Sequence, residues 1–126
     1  MKCLLPILVG SLVLLTSSDA VASAKRFVIV GDSNIYGALG AALEDNLESL
    51  GHGASRFGVS GSGLARPDFF DWSLTAVGLV QVNQPDIVLL MVGANDTQAI
   101  VTKEGTVPWG QRERWSAEYE LSLIHI

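Results

Sequence analysis

The chain has 126 residues, a formal net charge of −5 from 8 basic and 13 acidic side chains, and one cysteine. At roughly 100–200 residues per domain, that length holds one domain and excludes a multidomain machine. The densest basic group, Lys103, Arg112 and Arg114, lies among Glu104, Glu113 and Glu118, so no basic cluster is available to neutralise phosphates and nucleic acid is excluded as a partner.

The mean hydropathy of +0.36 owes much to the first two dozen residues. Lys2, the apolar run Leu4–Leu15 and the small residues Ala22-Ser23-Ala24 read as a secretory signal peptide over residues 1–24. The run contains Pro6 and Gly10 and is shorter than the roughly 20 residues a membrane span needs. The mature protein is therefore expected to begin at Lys25 and to have no membrane contact after cleavage. Cys3 leaves with the signal, so no disulfide staples the exported domain and its core must hold it, a combination suited to a bacterial periplasm.

Arg26-Phe-Val-Ile-Val30 is a continuous, largely β-branched apolar run, the pattern of a buried parallel strand. Ile35, Leu39, Ala42, Leu43, Leu47 and Leu50 recur at spacings of three and four, with Glu44, Asp45 and Glu48 opposite, which predicts one amphipathic helix over 35–50 closed by Gly51. A short strand over 55–59, a Gly/Ser-rich loop, a helix over 72–82 and a second apolar strand over 86–92 complete a βαβαβ order. That order implies right-handed crossovers and a parallel sheet, with Arg26–Val30 in its middle. Ligands gather at the carboxyl ends of such strands.

Three loops follow those ends. Gly31-Asp32-Ser33-Asn34 places a hydroxyl between a strand and a helix, where a backbone N–H suits a serine nucleophile passing through an oxyanion; the same residues also suit a plain helix cap. Gly93-Ala94-Asn95-Asp96 offers an amide toward the same oxyanion, or an Asn-Asp turn that bonds its own backbone. Gly58-Val-Ser-Gly61-Ser-Gly63-Leu64 supplies glycine N–H groups between them, or is merely flexible. Its glycine spacing, interrupted by Pro67, does not fit a dinucleotide fingerprint.

In order and spacing, the Gly31-Asp32-Ser33 strand end, the glycine loop and the Gly93–Asp96 loop resemble blocks I, II and III of the SGNH hydrolases, the GDSL-type esterases. Ser62–Trp72, with its Arg66-Pro-Asp-Phe-Phe-Asp-Trp72 stretch, and the segment Trp109–Tyr119 are similar to an exported branch of that superfamily. The resemblance covers Arg26 to about Glu120. It implies a flavodoxin-like three-layer α/β/α fold, a serine ester hydrolase with Ser33 as nucleophile, and neither cofactor nor metal. The oxyanion hole would comprise the Ser33 N–H, a glycine N–H and the Asn95 side chain, with Gly31, Asp32, Gly93 and Asp96 as supporting block residues. Counting back from Leu-x-Arg-Pro-Asp selects Gly63 as the glycine; a spacing closer to other members selects Gly61. Exported relatives imply small acyl esters or O-acetyl groups on envelope polysaccharide as substrate.

The family's D-x-x-H block, which supplies acid and base, is absent. His52 lies beside Gly51 and Gly53 at a helix end, and His125 has Ser122 three residues before it. Leu121-Ser-Leu-Ile-His-Ile126 resembles the translation of a sequencing adapter appended to a shortened reading frame, so residues 121–126 are expected to be a non-native tail; the alternative is an ordinary strand or helix start. Residues 25–120 would then be the amino-terminal part of an SGNH-like domain, inactive as it stands, since serine attack needs a positioned imidazole. The competing reading is a non-catalytic envelope domain that binds glycan or acyl groups through Arg66, Asp68, Asp71, Trp72 and Trp109.

Overall fold

The structure, a computed structural model, describes residues 23–126; the signal-peptide reading falls almost wholly on residues 1–22, outside the described residues. In chain order the elements are β1 (Arg26–Gly31), α1 (Ser33–Tyr36), α2 (Ala38–Ser49), β2 (Gly53–Gly58), α3 (Trp72–Asn83), β3 (Ile87–Met91), β4 (Ile100–Thr102), β5 (Gly105–Val107) and α4 (Arg112–Ile124).

The first three strands form one parallel sheet in the order β2-β1-β3. β1 is central, as its apolar run predicts, and Val28, Ile29 and Val30 are all buried. Successive side chains alternate faces. Val28 and Val30 pack with Leu64 and Trp72, and Phe57, paired with Val30, meets the Trp72 ring edge-on at 6.2 Å; α3 covers this face. Ile29 points the other way, as does its partner Arg56, whose guanidinium reaches α1 and Glu44 of α2. Helices thus cover both faces, and the architecture is the expected three-layer α/β, a partial flavodoxin-like arrangement. Gly31 stands opposite both Gly58 and Met91, so the three strands end flush at their carboxyl edge.

The single helix predicted over 35–50 is two. Gly37 is extended (φ −88°, ψ −154°) and caps α2 at its N-terminus. The cause lies on the neighbouring strand: Arg56 Nη1 donates to the Ile35 and Tyr36 carbonyls at 2.9 and 2.7 Å, taking acceptors that a continuous helix would have used internally. Only one turn of helix therefore follows Ser33.

Residues beyond β3 add three elements that the sequence pattern does not announce, β4, β5 and α4. β4 and β5 form an antiparallel hairpin, tied to the glycine loop by Val101 N–H donating to the Ala65 carbonyl at 2.8 Å. Ile100, Val107, Ala65 and Trp115 of α4 make a second small core. Tyr119, also on α4, packs against both cores. β3 forms an edge of the sheet, and Ile87, Val88, Leu90 and Met91 along it remain more than a third exposed. Among the described residues, no helix is long and apolar enough to cross a membrane.

Candidate functional site

The loops carrying the sequence-predicted residues all leave the same edge of the sheet. Ser33 opens α1 directly after β1. It is exposed, and among the described residues neither its hydroxyl nor its N–H makes a hydrogen bond. Asp32 in front of it is 1% exposed and caps the helix: Oδ1 accepts from the Asn34 N–H and side-chain amide, each at 2.9 Å. Its own N–H donates to the Met91 carbonyl at 3.1 Å, which locks the β1 end to the β3 end. Asp32 Oδ2 is buried with no hydrogen-bond partner among the described residues. The plain cap and the nucleophile position are thus compatible, because Asp32 does the capping and Ser33 is left unengaged.

The glycine loop and the Gly93–Asp96 loop are bolted to each other. Asn95 Nδ2 donates to the Ser62 carbonyl at 2.8 Å, leaving one amide hydrogen uncommitted. Asp96, 3% exposed, accepts the N–H groups of Leu64 at 3.0 Å and Ala65 at 2.9 Å. Its third donor is the Tyr119 hydroxyl, at 2.8 Å to Oδ2. The alternative reading of Gly93–Asp96 as an isolated self-bonded turn is only half right: Asp96 N–H does return to the Gly93 carbonyl, but both side chains reach across to the glycine loop. Gly93 has φ +124°, a conformation that only glycine adopts without strain.

Gly63 is packed onto the Asp96 carboxylate so closely that a Cβ there would fall 2.1 Å from Oδ1. It is buried, whereas Gly61, the alternative glycine, is exposed. Ser62 between them is buried and spends its hydroxyl on the Val59 carbonyl at 2.7 Å, while accepting the Trp72 indole N–H at 3.0 Å. The loop is therefore held from three sides: by α3 through Trp72, by the Asn95-Asp96 pair, and by the hairpin.

Tyr119 and Trp115 are the functional-site supports that sequence reasoning missed. Trp115 donates its indole N–H to the Gln98 carbonyl at 2.8 Å and stacks on Tyr119 at 4.8 Å. Burial, and then the adjoining Asp96 carboxylate, push the Tyr119 phenol well above its ordinary titration range. The i, i+4 spacing of the two aromatics on a helix was the available signal.

Neither described histidine is hydrogen-bonded to Ser33. His52 Nδ1 accepts the Lys25 N–H at 3.2 Å and its ring packs on Phe27 at 5.4 Å. That is the amino end of β1, about 17 Å of strand from Gly31 at the usual ~3.3 Å rise per residue. His125 ends α4 with Nδ1 on the Leu121 carbonyl, and it lines a cavity of about 530 Å³ with Asp68, Asp71 and Glu118. Residues 121–124 form the last turn of α4.

Of the residues assigned to recognition under the binding reading, three have structural tasks. Trp72 is 2% exposed in the core, Asp71 caps α3 by accepting the Leu74 N–H at 3.0 Å, and Trp109 is sandwiched between Trp115 and the Arg112 guanidinium. Arg66 and Asp68 remain at the surface as a bidentate pair, both contacts 2.7 Å. Among the described residues, no group of three or more His, Cys, Asp or Glu side chains is placed to hold a metal ion.

Residues 26–126 match the sequence profile of the family described as "Protein of unknown function (DUF459)". The chain belongs to the DUF459 family. No curated protein matches it.

Proposed function

We propose that this DUF459 domain is an exported SGNH-type serine ester hydrolase, acting on acyl or O-acetyl esters borne by envelope polysaccharide, with the periplasm as its compartment. Ser33 is the nucleophile. The Ser33 N–H, the Gly63 N–H and the free Asn95 amide hydrogen receive the oxyanion that forms when the hydroxyl oxygen adds to the ester carbonyl. The observation that carries the reading is the bonding of the glycine loop to the Asn95 loop through Asn95–Ser62 and Asp96–Leu64/Ala65, at the same sheet edge as a Ser33 whose N–H and hydroxyl make no hydrogen bond among the described residues. Donors fixed before substrate arrives cost no reorganisation when charge develops.

The proton is the open part of the mechanism. Attack requires a base for the Ser33 hydroxyl, and neither His52 nor His125 is placed on it. The 126-residue chain should therefore hydrolyse a chromogenic acetyl ester no faster than its Ser33→Ala variant. A form of the protein that carries a D-x-x-H block should turn the ester over, lose that activity with Ser33→Ala, and lose roughly 10²–10³ in kcat with Asn95→Ala, the usual cost of one oxyanion donor. Ser33-dependent turnover by the 126-residue chain would overturn the assignment of both histidines. The placement of those histidines also keeps a second reading, a non-catalytic glycan- or acyl-binding domain; a D-x-x-H form inert on esters yet binding glycan would establish it.

A further inference from the structure

A second pocket, of about 220 Å³, opens against the same loops and is lined by Gly61, Arg66, Phe69 and Gln98. It shares its walls with the site. Gly61 directly precedes Ser62, whose carbonyl holds Asn95, and Gln98 Nε2 donates to the Asn95 carbonyl at 2.6 Å. Anything seated there lies next to the proposed oxyanion donors.

The chemistry of the lining is selective. Phe69 is 60% exposed, whereas its neighbour Phe70 and Trp72 are turned into the core, so an aromatic face is left open without any packing task. Arg66 is fixed in orientation because Asp68 takes its Nε and Nη2 edge in a bidentate pair. Nη1 is left to donate, but the charge is already balanced, which removes the advantage an anion would find at a free guanidinium. Gln98 commits its amide nitrogen to Asn95 and keeps its amide oxygen as an acceptor. An aromatic face, a neutralised donor and a neutral acceptor match a ring with apolar C–H faces and hydroxyls that both donate and accept. The volume is below the roughly 300–1,000 Å³ of pockets for drug-sized ligands, which suits one small ring.

Resting on the reading that Ser33, Gly63 and Asn95 handle an acyl ester, we propose that the Gly61/Arg66/Phe69/Gln98 pocket seats a single neutral sugar ring, the ester-bearing unit of an acylated glycan. Phe69 stacks on the ring, Arg66 Nη1 donates to one hydroxyl, and the Gln98 amide oxygen accepts from another. The ester then projects toward Ser62, Gly63 and Asn95, along the glycine loop from Gly61 onward.

The test is an NMR titration of the ¹⁵N-labelled 126-residue chain with methyl β-D-glucopyranoside, and separately with glucuronate as its anionic counterpart. Expected are saturable shifts of the Gly61 and Phe69 amides and of the Gln98 side-chain amide with the neutral glycoside, weaker ones with glucuronate, and roughly tenfold weaker glycoside binding in Phe69→Ala. Arg66→Lys, which keeps the charge but not the planar fork, should also weaken it. Absence of those shifts, shifts unaffected by both substitutions, or tighter binding of glucuronate would overturn the proposal. Because binding is read without any reaction, failure of the hydrolase reading shows separately, as a D-x-x-H form with no Ser33-dependent turnover.

Discussion

Replacing Asp96 by asparagine tests the central feature of the site. The carboxylate is 3% exposed and accepts from Leu64 N–H, Ala65 N–H and the Tyr119 hydroxyl. Asparagine has nearly the same shape but one acceptor oxygen. With that oxygen at the Oδ2 position, Leu64 and Tyr119 keep their acceptor, while the new amide group faces the Ala65 N–H, donor against donor. A buried donor left unpaired costs roughly 1–3 kcal/mol, and the two surviving bonds lose the charge that made them stronger than neutral ones. The expected total is about 2–4 kcal/mol, a large part of the 5–15 kcal/mol by which such domains are stable. In urea, with a slope of about 2 kcal/mol per molar, the midpoint should fall by roughly 1–2 M. Amide exchange at Ala65 and Leu64 should accelerate more than at Val28 or Val30 in β1. An unchanged urea midpoint, or exchange that accelerates uniformly along the chain, would refute the view that Asp96 holds the two loops together.

Gly63→Ala should be more damaging than a surface glycine substitution, because the added methyl would lie 2.1 Å from Asp96 Oδ1; loss of cooperative thermal unfolding is the expected result, and a native-like transition would argue that the loop is free to shift. The Tyr119 phenol is held above its ordinary titration range by burial and by Asp96, so its contribution is fully present below the unfolded pKa of about 10 and is lost as pH rises from there toward the folded value. The stability gap between the natural chain and Tyr119→Phe, measured as urea midpoints, should therefore narrow above pH 10; parallel curves from pH 8 to 11 would show that Tyr119 is not protonated through Asp96 and burial.

The sheet was legible because Val28, Ile29 and Val30 are apolar on both faces, a pattern that a parallel central strand requires and few other elements show. The helix break at Gly37 was not, since an isolated glycine is tolerated in a helical pattern and its cause, Arg56 on β2, is a tertiary contact. The hairpin was invisible for a different reason: strands of three residues are too short for any period to register. At the site, the loops of Ser33 and Asn95 could be read from their positions after strands, whereas the choice of Gly63 over Gly61 came from the resemblance. What each residue does locally could not be read, because Asp96 acts on backbone groups more than thirty positions earlier, and the phenol that completes its shell comes from α4. Trp72 illustrates the converse, a residue whose ring suggested sugar recognition and whose indole N–H instead fixes Ser62.

Under the proposed hydrolase reading, oxyanion binding and proton transfer make separate demands on this molecule, and that separation decides how its variants should behave. Two of the proposed oxyanion donors sit on the glycine loop and the Asn95 loop, which are bonded to each other, to α3, to the hairpin and to α4. Substitutions there must disturb fold and site together, so loss of activity in them says little about chemistry unless stability is measured beside it. Proton transfer would need an imidazole, and among the described residues neither His52 nor His125 is hydrogen-bonded to this network. Introduction or removal of such an imidazole should therefore change turnover while leaving the urea midpoint and the Leu64 and Ala65 exchange rates as they are. Ser33 stands between the two: exposed, with its hydroxyl making no hydrogen bond among the described residues and preceded by a cap that Asp32 provides, it can lose that hydroxyl with little cost to the fold, so the effect of Ser33→Ala on an ester can be read as chemistry.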